Sequence, residues 1–356
     1  MMEDIFPDEV RILTGKPTIA LIAKQSIDWD GVREMAKWVK EHRPGCLPAG
    51  YDPEAPDEAE TYPPELHLPP EMALFPHGGL RDPGGDPLDP NNRLSDNELL
   101  SELAGRKCYD SFGNAAGRRT NAEYMANIMG GIDKLPEEVA SELIQREMRS
   151  GDSAPLVSRL QRAFAQAIRE ERDRVPHASV LYHAKMTFFF AGLSRRVSQE
   201  LMRNYVGSDR DHEGSPSQES TRFTFHYGTF VAPPYVVDKP DALAAFRASC
   251  EDGYGNYKAF IAREIEEFER WNHRAPKGME RKRIVEASIG VMPWSFETSF
   301  IWTTNPGALT KMLIERDNPV ADAEFARFAQ ALKQVCVAHA PNLFPRFVAE
   351  MRGPRS

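Results

Sequence analysis

The 356-residue chain contains no apolar run near the roughly 18 residues a membrane span needs. It also has no GxGxxG and no GxxxxGK[ST] loop. The first absence predicts no membrane partner, and the second removes both standard phosphate-binding loops from consideration. Cysteine is sparse: Cys46, Cys108, Cys250 and Cys336 stand far apart, with no CxxC and no Cys/His cluster at zinc-ligand spacing. No metal is expected, and each thiol reads as buried filler. A basic excess is missing too. Against 44 Lys and Arg stand 53 Asp and Glu, a formal net charge of −9, which argues against broad binding to nucleic acid. The opening MMEDIFPDEV is acidic and lacks a signal peptide's apolar stretch, so a cytoplasmic location is expected.

Proline, by contrast, is abundant, with 28 residues, where ~5% of a chain is usual. Twelve of them lie between Pro44 and Pro90, mixed with Gly, Asp and Glu. Such text cannot donate an amide at every position of a helix or sheet, so it reads as an irregular surface excursion. The expected organisation is an N-terminal part of a catalytic core (1–43), a Pro-rich insertion (44–104), the rest of that core (105–345) and a tail (346–356). With 41% hydrophobic and 27% charged residues, the composition is that of a folded protein.

Strands are expected at PTIALIAK (17–24), MTFFFAGL (186–193), RFTFHYGTFV (222–231) and FETSFIWTT (296–304). Helices are expected over 28–41 with Asp30 as cap, 95–103, 121–129, 156–172, from Ser194 through RRVSQELMRNY, from Pro306, and over 321–339. Residues 240–271 read as two helices broken near Gly253 and Gly255. Helices in blocks rather than strict alternation with strands predict an α+β fold, a mixed or antiparallel sheet with packed helices.

The chemistry concentrates between His177 and Phe223. Glu200 and Arg203 lie one turn apart on a helix, followed by a polar loop ending Ser217-Gln218-Glu219-Ser220-Thr221-Arg222. Arg203, Arg222, Ser220 and loop amides could cradle a phosphate; a solvated helix face and a serine-rich loop is the plainer alternative. Arg195 and Arg196 open a helix, where the dipole disfavours cations, so at least one should have a partner. Asp209-Arg210-Asp211-His212-Glu213 could supply acid/base groups or metal ligands, or be a solvated loop. His183 and His226 read as hydrogen-bonded core residues.

This text resembles the flavin-dependent thymidylate synthases. The match runs through His177, Ser179, Val180, His183, Phe188, Gly192, Ser194 and Arg195, then Glu200, Arg203, Ser217, Gln218, Ser220, Arg222 and Phe223. It continues through Met292-Pro293, Thr298, Thr303, Asn305, Leu309, Arg316, Ala321 and Glu324, with Lys107-Cys108-Tyr109 similar to a turn near the family's start. The resemblance implies that family's fold and a methylation of dUMP or a related pyrimidine nucleotide. Methylenetetrahydrofolate would supply the carbon and FAD the hydride, with NADPH re-reducing the flavin, in a homotetramer. It makes Arg316 the catalytic cation at the ring carbonyl. It assigns Glu200, Arg203, Gln218, Glu219, Ser220, Arg222 and Arg316 to the nucleotide. His177, Ser179, Asn305 and Asn204 fall on the flavin side.

Departures accompany the match. Arg203-Asn204-Tyr205 stands where the family has Arg-His-Arg, Tyr182 where it has glutamate, and Ser288-Ile289 where an arginine precedes Leu-Pro. Gly307 replaces an arginine and Val320 a histidine. These changes leave room for a paralogue acting on another nucleotide with altered or lost flavin use, or for a non-catalytic nucleotide-binding homologue.

Overall fold

The computed structural model describes residues 6–7, 9–43, 46–55, 70–81, 92–109, 112, 120–129, 137–150, 159–160, 163, 178–205, 214–223 and 226–352. The first strands and helices are β1 (Arg11–Leu13), β2 (Thr18–Lys24), α1 (Trp29–His42), α2 (Asp96–Tyr109), α3 (Asn121–Met129) and α4 (Glu137–Arg149). Then come β3 (Met186–Ser194), α5 (Arg195–Tyr205), β4 (Gly214–Gln218), β5 (Thr229–Val231), α6 (Pro234–Val237) and α7 (Pro240–Asn272). The chain closes with α8 (Met279–Ser288), β6 (Glu297–Thr304), α9 (Pro306–Arg316), α10 (Ala323–His339) and α11 (Pro345–Arg352). The fold is α+β, as expected. Among the described residues no helix is long and apolar enough to cross a membrane.

Two compact units emerge. The first comprises Met1–Ile22, Thr187–Thr303 and Arg316–Leu332; the second comprises Ala23–Met186, Thr304–Glu315 and Lys333–Ser356. In the first, strands run in the order β2-β3-β6-β4, and β1 pairs in parallel with β5. Phe188 and Phe190 alternate inward along β3, and the Phe190 ring meets Phe300 of β6 and Phe328 of α10 at 5.1 Å each. Each buried phenylalanine contributes about 1.5–3 kcal/mol of burial. A second cluster gathers Phe6, Val10, Phe230, Tyr254, Tyr257 and Phe296 against α7.

Helix α7 is continuous over 33 residues, not broken at its glycines. Gly253 serves packing instead: a Cβ there would lie 2.6 Å from the ring of Pro293, so only hydrogen fits. The strand expected over 222–231 shrinks to Thr229–Val231, because residues 221–223 turn and Gly228 takes φ +66°.

In the second unit the Pro-rich stretch is more than surface. Leu47, Met72, Leu74, Phe75, Leu94, Leu99 and Leu103 bury against Val32, Ala36 and Val39 of α1. Prolines forbid long helices there, yet short turns carry apolar side chains inward. Asp28 caps α1 in place of Asp30, its Oδ1 accepting from the amides of Asp30 and Gly31. Ser95 and Glu98 open α2 with half of a capping box: the amide and the hydroxyl of Ser95 both donate to the Glu98 carboxylate, at 2.8 and 2.7 Å. That helix runs on through Lys107-Cys108-Tyr109, where a turn was expected. Helix α11 (Pro345–Arg352) takes in residues 346–352 of the expected tail, with Phe347 and Val348 buried. The helix expected over 156–172 and the 209–213 run lie largely or wholly outside the described residues.

Candidate active site

Strand β3 delivers the chain to Ser194, whose Oγ accepts from the Val197 amide and caps α5 as the sequence suggested. Both arginines of the first turn have partners. Arg196 donates to Asp322 at 2.6 and 3.0 Å and to Glu324 at 3.1 Å. Glu324, only 3% exposed, also accepts from the amide and hydroxyl of Ser194. Asp322 in turn caps α10, accepting from the amides of Glu324 and Phe325. Asp322 was not singled out from the sequence, although an aspartate just before an apolar helical run is a cap signature. Arg195 donates to the Glu219 carbonyl at 3.3 Å, and burial draws its pKa down.

One turn later Glu200 faces Arg316, the last residue of α9. Their ion pair closes at 2.9 Å, and Arg316 is 8% exposed, its guanidinium 5.0 Å from the centre of the Phe325 ring. Two residues far apart in sequence, both implied by the resemblance, thus meet inside one unit. Arg203 lies exposed in the last turn of α5. The nucleotide strip continues along β4 and the turn after it. Gln218 donates to Ser198 of α5 at 2.7 Å and to Thr298 of β6 at 3.2 Å. The Glu219 amide bonds to Ser299 across to β6. The Ser220 Oγ accepts from the Arg222 amide, and the exposed Arg222 side chain pairs with Glu286 at 3.1 Å. Ser198 and Glu286 escaped sequence reasoning, since neither carries a local signal.

His226 is half-buried rather than in the core, its ring 4.2 Å from that of Phe296, and desolvation together with the Arg195 charge holds its pKa down at about 4. His183 is exposed instead, placed at the end of a short 3-10 turn rather than in the core. Cys250 and Cys336 are buried and free, and burial pushes both thiols up; Cys46 is half-buried. Neither buried thiol is an activated nucleophile.

The flavin-side candidates fall in the second unit, apart from Asn204 in α5. Asn305 is fully buried and its Oδ1 accepts from the Ala308 amide, capping α9. A Cβ on Gly307 would lie 3.2 Å from that Oδ1 and 3.4 Å from the Tyr182 ring. Two of the departures, Tyr182 and Gly307, are therefore neighbours: the ring would lie in van der Waals contact with a side chain at 307. Ser179 is exposed on the adjoining 3-10 turn. The Tyr182 ring, the exposed Ser179 hydroxyl and a glycine suit a flat uncharged ring such as isoalloxazine, and the buried Asn305 shapes that corner by capping α9. They offer no cation to a diphosphate. His177 and the Asn204 side chain lie outside the described residues.

Comparison with known proteins agrees with the motif. The family model described as "Thymidylate synthase complementing protein" matches residues 92–342. A flavin-dependent thymidylate synthase of Mycolicibacterium gilvum is 31% identical over 250 residues, covering 70% of this chain and 78% of the relative. That of Mycobacterium marinum is 25% identical over 252 residues, 70% and 79%. The chain belongs to the flavin-dependent thymidylate synthase family. Among solved structures it aligns with a UMP/dUMP methylase, PolB of Streptomyces cacaoi, bound with 5-Br UMP. That alignment has 14% identity and a TM-score of 0.37, covering 58% of this chain and 88% of that one.

Proposed function

We propose that the chain is a cytoplasmic, flavin-dependent enzyme that methylates the uracil ring of dUMP or a close pyrimidine nucleotide. In this reading methylenetetrahydrofolate supplies the carbon, NADPH is the reductant, and the working unit is a homotetramer. The observation that carries it is the ion pair of the buried Arg316 with the half-buried Glu200 in a chain of this family. C5 of a uracil becomes nucleophilic only if negative charge can develop on the ring carbonyls. A cation already fixed there stabilises that charge without reorganising. Arg316 is such a cation: Glu200 orients it, Phe325 lies beneath it, and its burial reduces competition from water. The more exposed Arg203 and Arg222, with Ser220, would meet the 5′-phosphate, Arg222 exchanging Glu286 for it, while Glu219 would keep Arg195 and β6 in place beside the nucleotide. Bound FAD would supply the hydride; Ser179 and Tyr182 would hold its ring, Asn305 would act through the cap of α9, and His177 and Asn204 are the other residues assigned to it.

A second reading, a paralogue acting on another nucleotide, is favoured by the neutral corner at Tyr182 and Gly307. Release of tritium from [5-³H]dUMP by the FAD-loaded protein tests the first reading. Release from another uracil nucleotide but not from dUMP would select the second. Colourless protein that binds no added FAD would overturn the flavin-dependent reading.

A further inference from the structure

Helix α2 buries polar groups as thoroughly as apolar ones. Leu99 and Leu103 pack into the cluster against α1. Its other side carries Asn97, Glu98, Ser101 and Glu102, one stripe at helical spacing, and none of them is more than 1% exposed. Two asparagines close over this stripe, both buried. Asn121 opens α3 and donates to the Glu102 carboxylate at 2.7 Å and to the Glu98 carbonyl at 3.4 Å. Asn342, in the 3-10 turn after α10, donates its backbone amide to Glu98 Oε1 at 3.1 Å. The formal charges cancel: Arg81 donates to Glu98 and Arg106 to Glu102, both at 2.6 Å.

What remains is dipolar. The Asn97 side-chain nitrogen faces the Lys185 carbonyl and that of Asn121 the Glu98 carbonyl, groups that can only accept. Both amide orientations are therefore fixed, and among the described residues neither Oδ1 has a partner. The Ser101 hydroxyl has none either, nor has either atom of the Asn342 amide. Arg81 Nε is also unpaired, but its guanidinium is already held by Glu98 and the His339 carbonyl. Buried oxygens without donors are costly, so a guest that answers several at once is favoured.

We propose that this polar layer binds one monovalent metal cation of the sodium or potassium class, through the side-chain oxygens of Asn97, Ser101, Asn121 and Asn342. Uncharged carbonyl and hydroxyl oxygens replace the hydration shell of such an ion. A divalent ion would need net negative charge, and here each glutamate is already neutralised by an arginine. Among the described residues no group of three His, Cys, Asp or Glu could hold a metal either. The bound cation ties α2 to the start of α3 and to the turn at Pro341–Leu343 within the second unit. None of these residues belongs to the nucleotide or flavin sets, so the inference stands apart from the proposed reaction.

Denaturant unfolding of the full-length protein in potassium, sodium and choline chloride at equal ionic strength tests the inference. Potassium or sodium should raise the folding equilibrium constant at least about tenfold over choline, the effect of a ligand at about ten times its Kd. Asn342→Leu gives up no described side-chain hydrogen bond. In choline chloride it should match the wild type within about threefold, and it should respond to either ion by less than about twofold. Ser101→Ala, which likewise gives up none, should lose most of the response and decides the matter if the first variant fails to fold. Equal stability of the wild type in all three salts would overturn the inference and leave a layer filled by water alone. A response kept in full by the variants, or a larger one to magnesium at the same ionic strength, would overturn it too.

Discussion

The two sets of candidate residues treat charge in opposite ways. Around α5 the arginines are answered: Arg316 by Glu200, Arg196 by Asp322 and Glu324, Arg222 by Glu286 and Arg195 by a carbonyl. In the second unit the corner of Tyr182, Asn305 and Gly307 is neutral, and a ring occupies the space beside a glycine. A half-buried guanidinium persists only where its desolvation is offset by a partner. Beside Gly307 the Tyr182 ring lies 3.4 Å from where a Cβ would sit. In the proposed reading, the phosphate and the developing ring charge fall to the first region and a flat neutral ring to the second.

Arg316→Ala should break that contrast most severely. Turnover in the tritium-release assay should fall by about 10²–10³-fold, with circular dichroism unchanged; undiminished turnover would show that this cation is not the catalytic one. Glu324→Ala strips a buried acceptor from the amide and hydroxyl of Ser194. It should cost about 3 kcal/mol in denaturant unfolding, and a loss below 1 kcal/mol would deny the carboxylate its structural part. Gly307→Arg puts a charged chain against Asn305 and Tyr182 and should destabilise by about 1–2 kcal/mol. Adding Tyr182→Ala should recover most of it, whereas strictly additive effects would mean that the two positions are independent.

Protonation compares the regions directly. Burial, with nearby cations, holds His226 in the first unit and His339 in the second down at about 4, against 6.5 for the free group. Between those values the unfolded chain binds protons that the folded chain does not. Stability should therefore fall as pH drops from 6.5 towards 4, with no further loss from these groups below that. His226→Asn should remove about 1–2 kcal/mol of that slope, read from denaturation midpoints at pH 7 and 4.5; a slope unchanged in both His226→Asn and His339→Asn would exclude these rings as its source. The smallest effect belongs to Arg222→Ala. Its exposed ion pair should contribute no more than about 0.5 kcal/mol to stability, so nearly all of its consequence should appear in nucleotide affinity.

Much of this was legible from the residues. The strands at 18–24, 186–194 and 297–304 and the helix opened by Ser194 follow from apolar alternation and a cap, both local signals. The meeting of Glu200 with Arg316 was not legible from spacing, because 116 positions separate them and only the fold closes that distance. Gly253 of α7 misled for a related reason: its local meaning is a break, whereas the Pro293 ring packed on it gives it a tertiary one. The core built by the Pro-rich stretch was hidden likewise, since scattered leucines between prolines show no periodicity.

Helix α7 has a consequence in time as well as space. At 1.5 Å per residue its 33 residues extend about 50 Å, yet its buried residues, Cys250, Tyr254, Tyr257 and Ile261, all fall within three turns. Amides in those turns should exchange with deuterated solvent only when the whole unit opens. Those beyond Ile261 should exchange through fraying from the far end, where Trp271 is 75% exposed. One helix would then carry both the slowest and some of the fastest exchange clocks of its unit, and the fluorescence of Trp271 would report on the fast end alone.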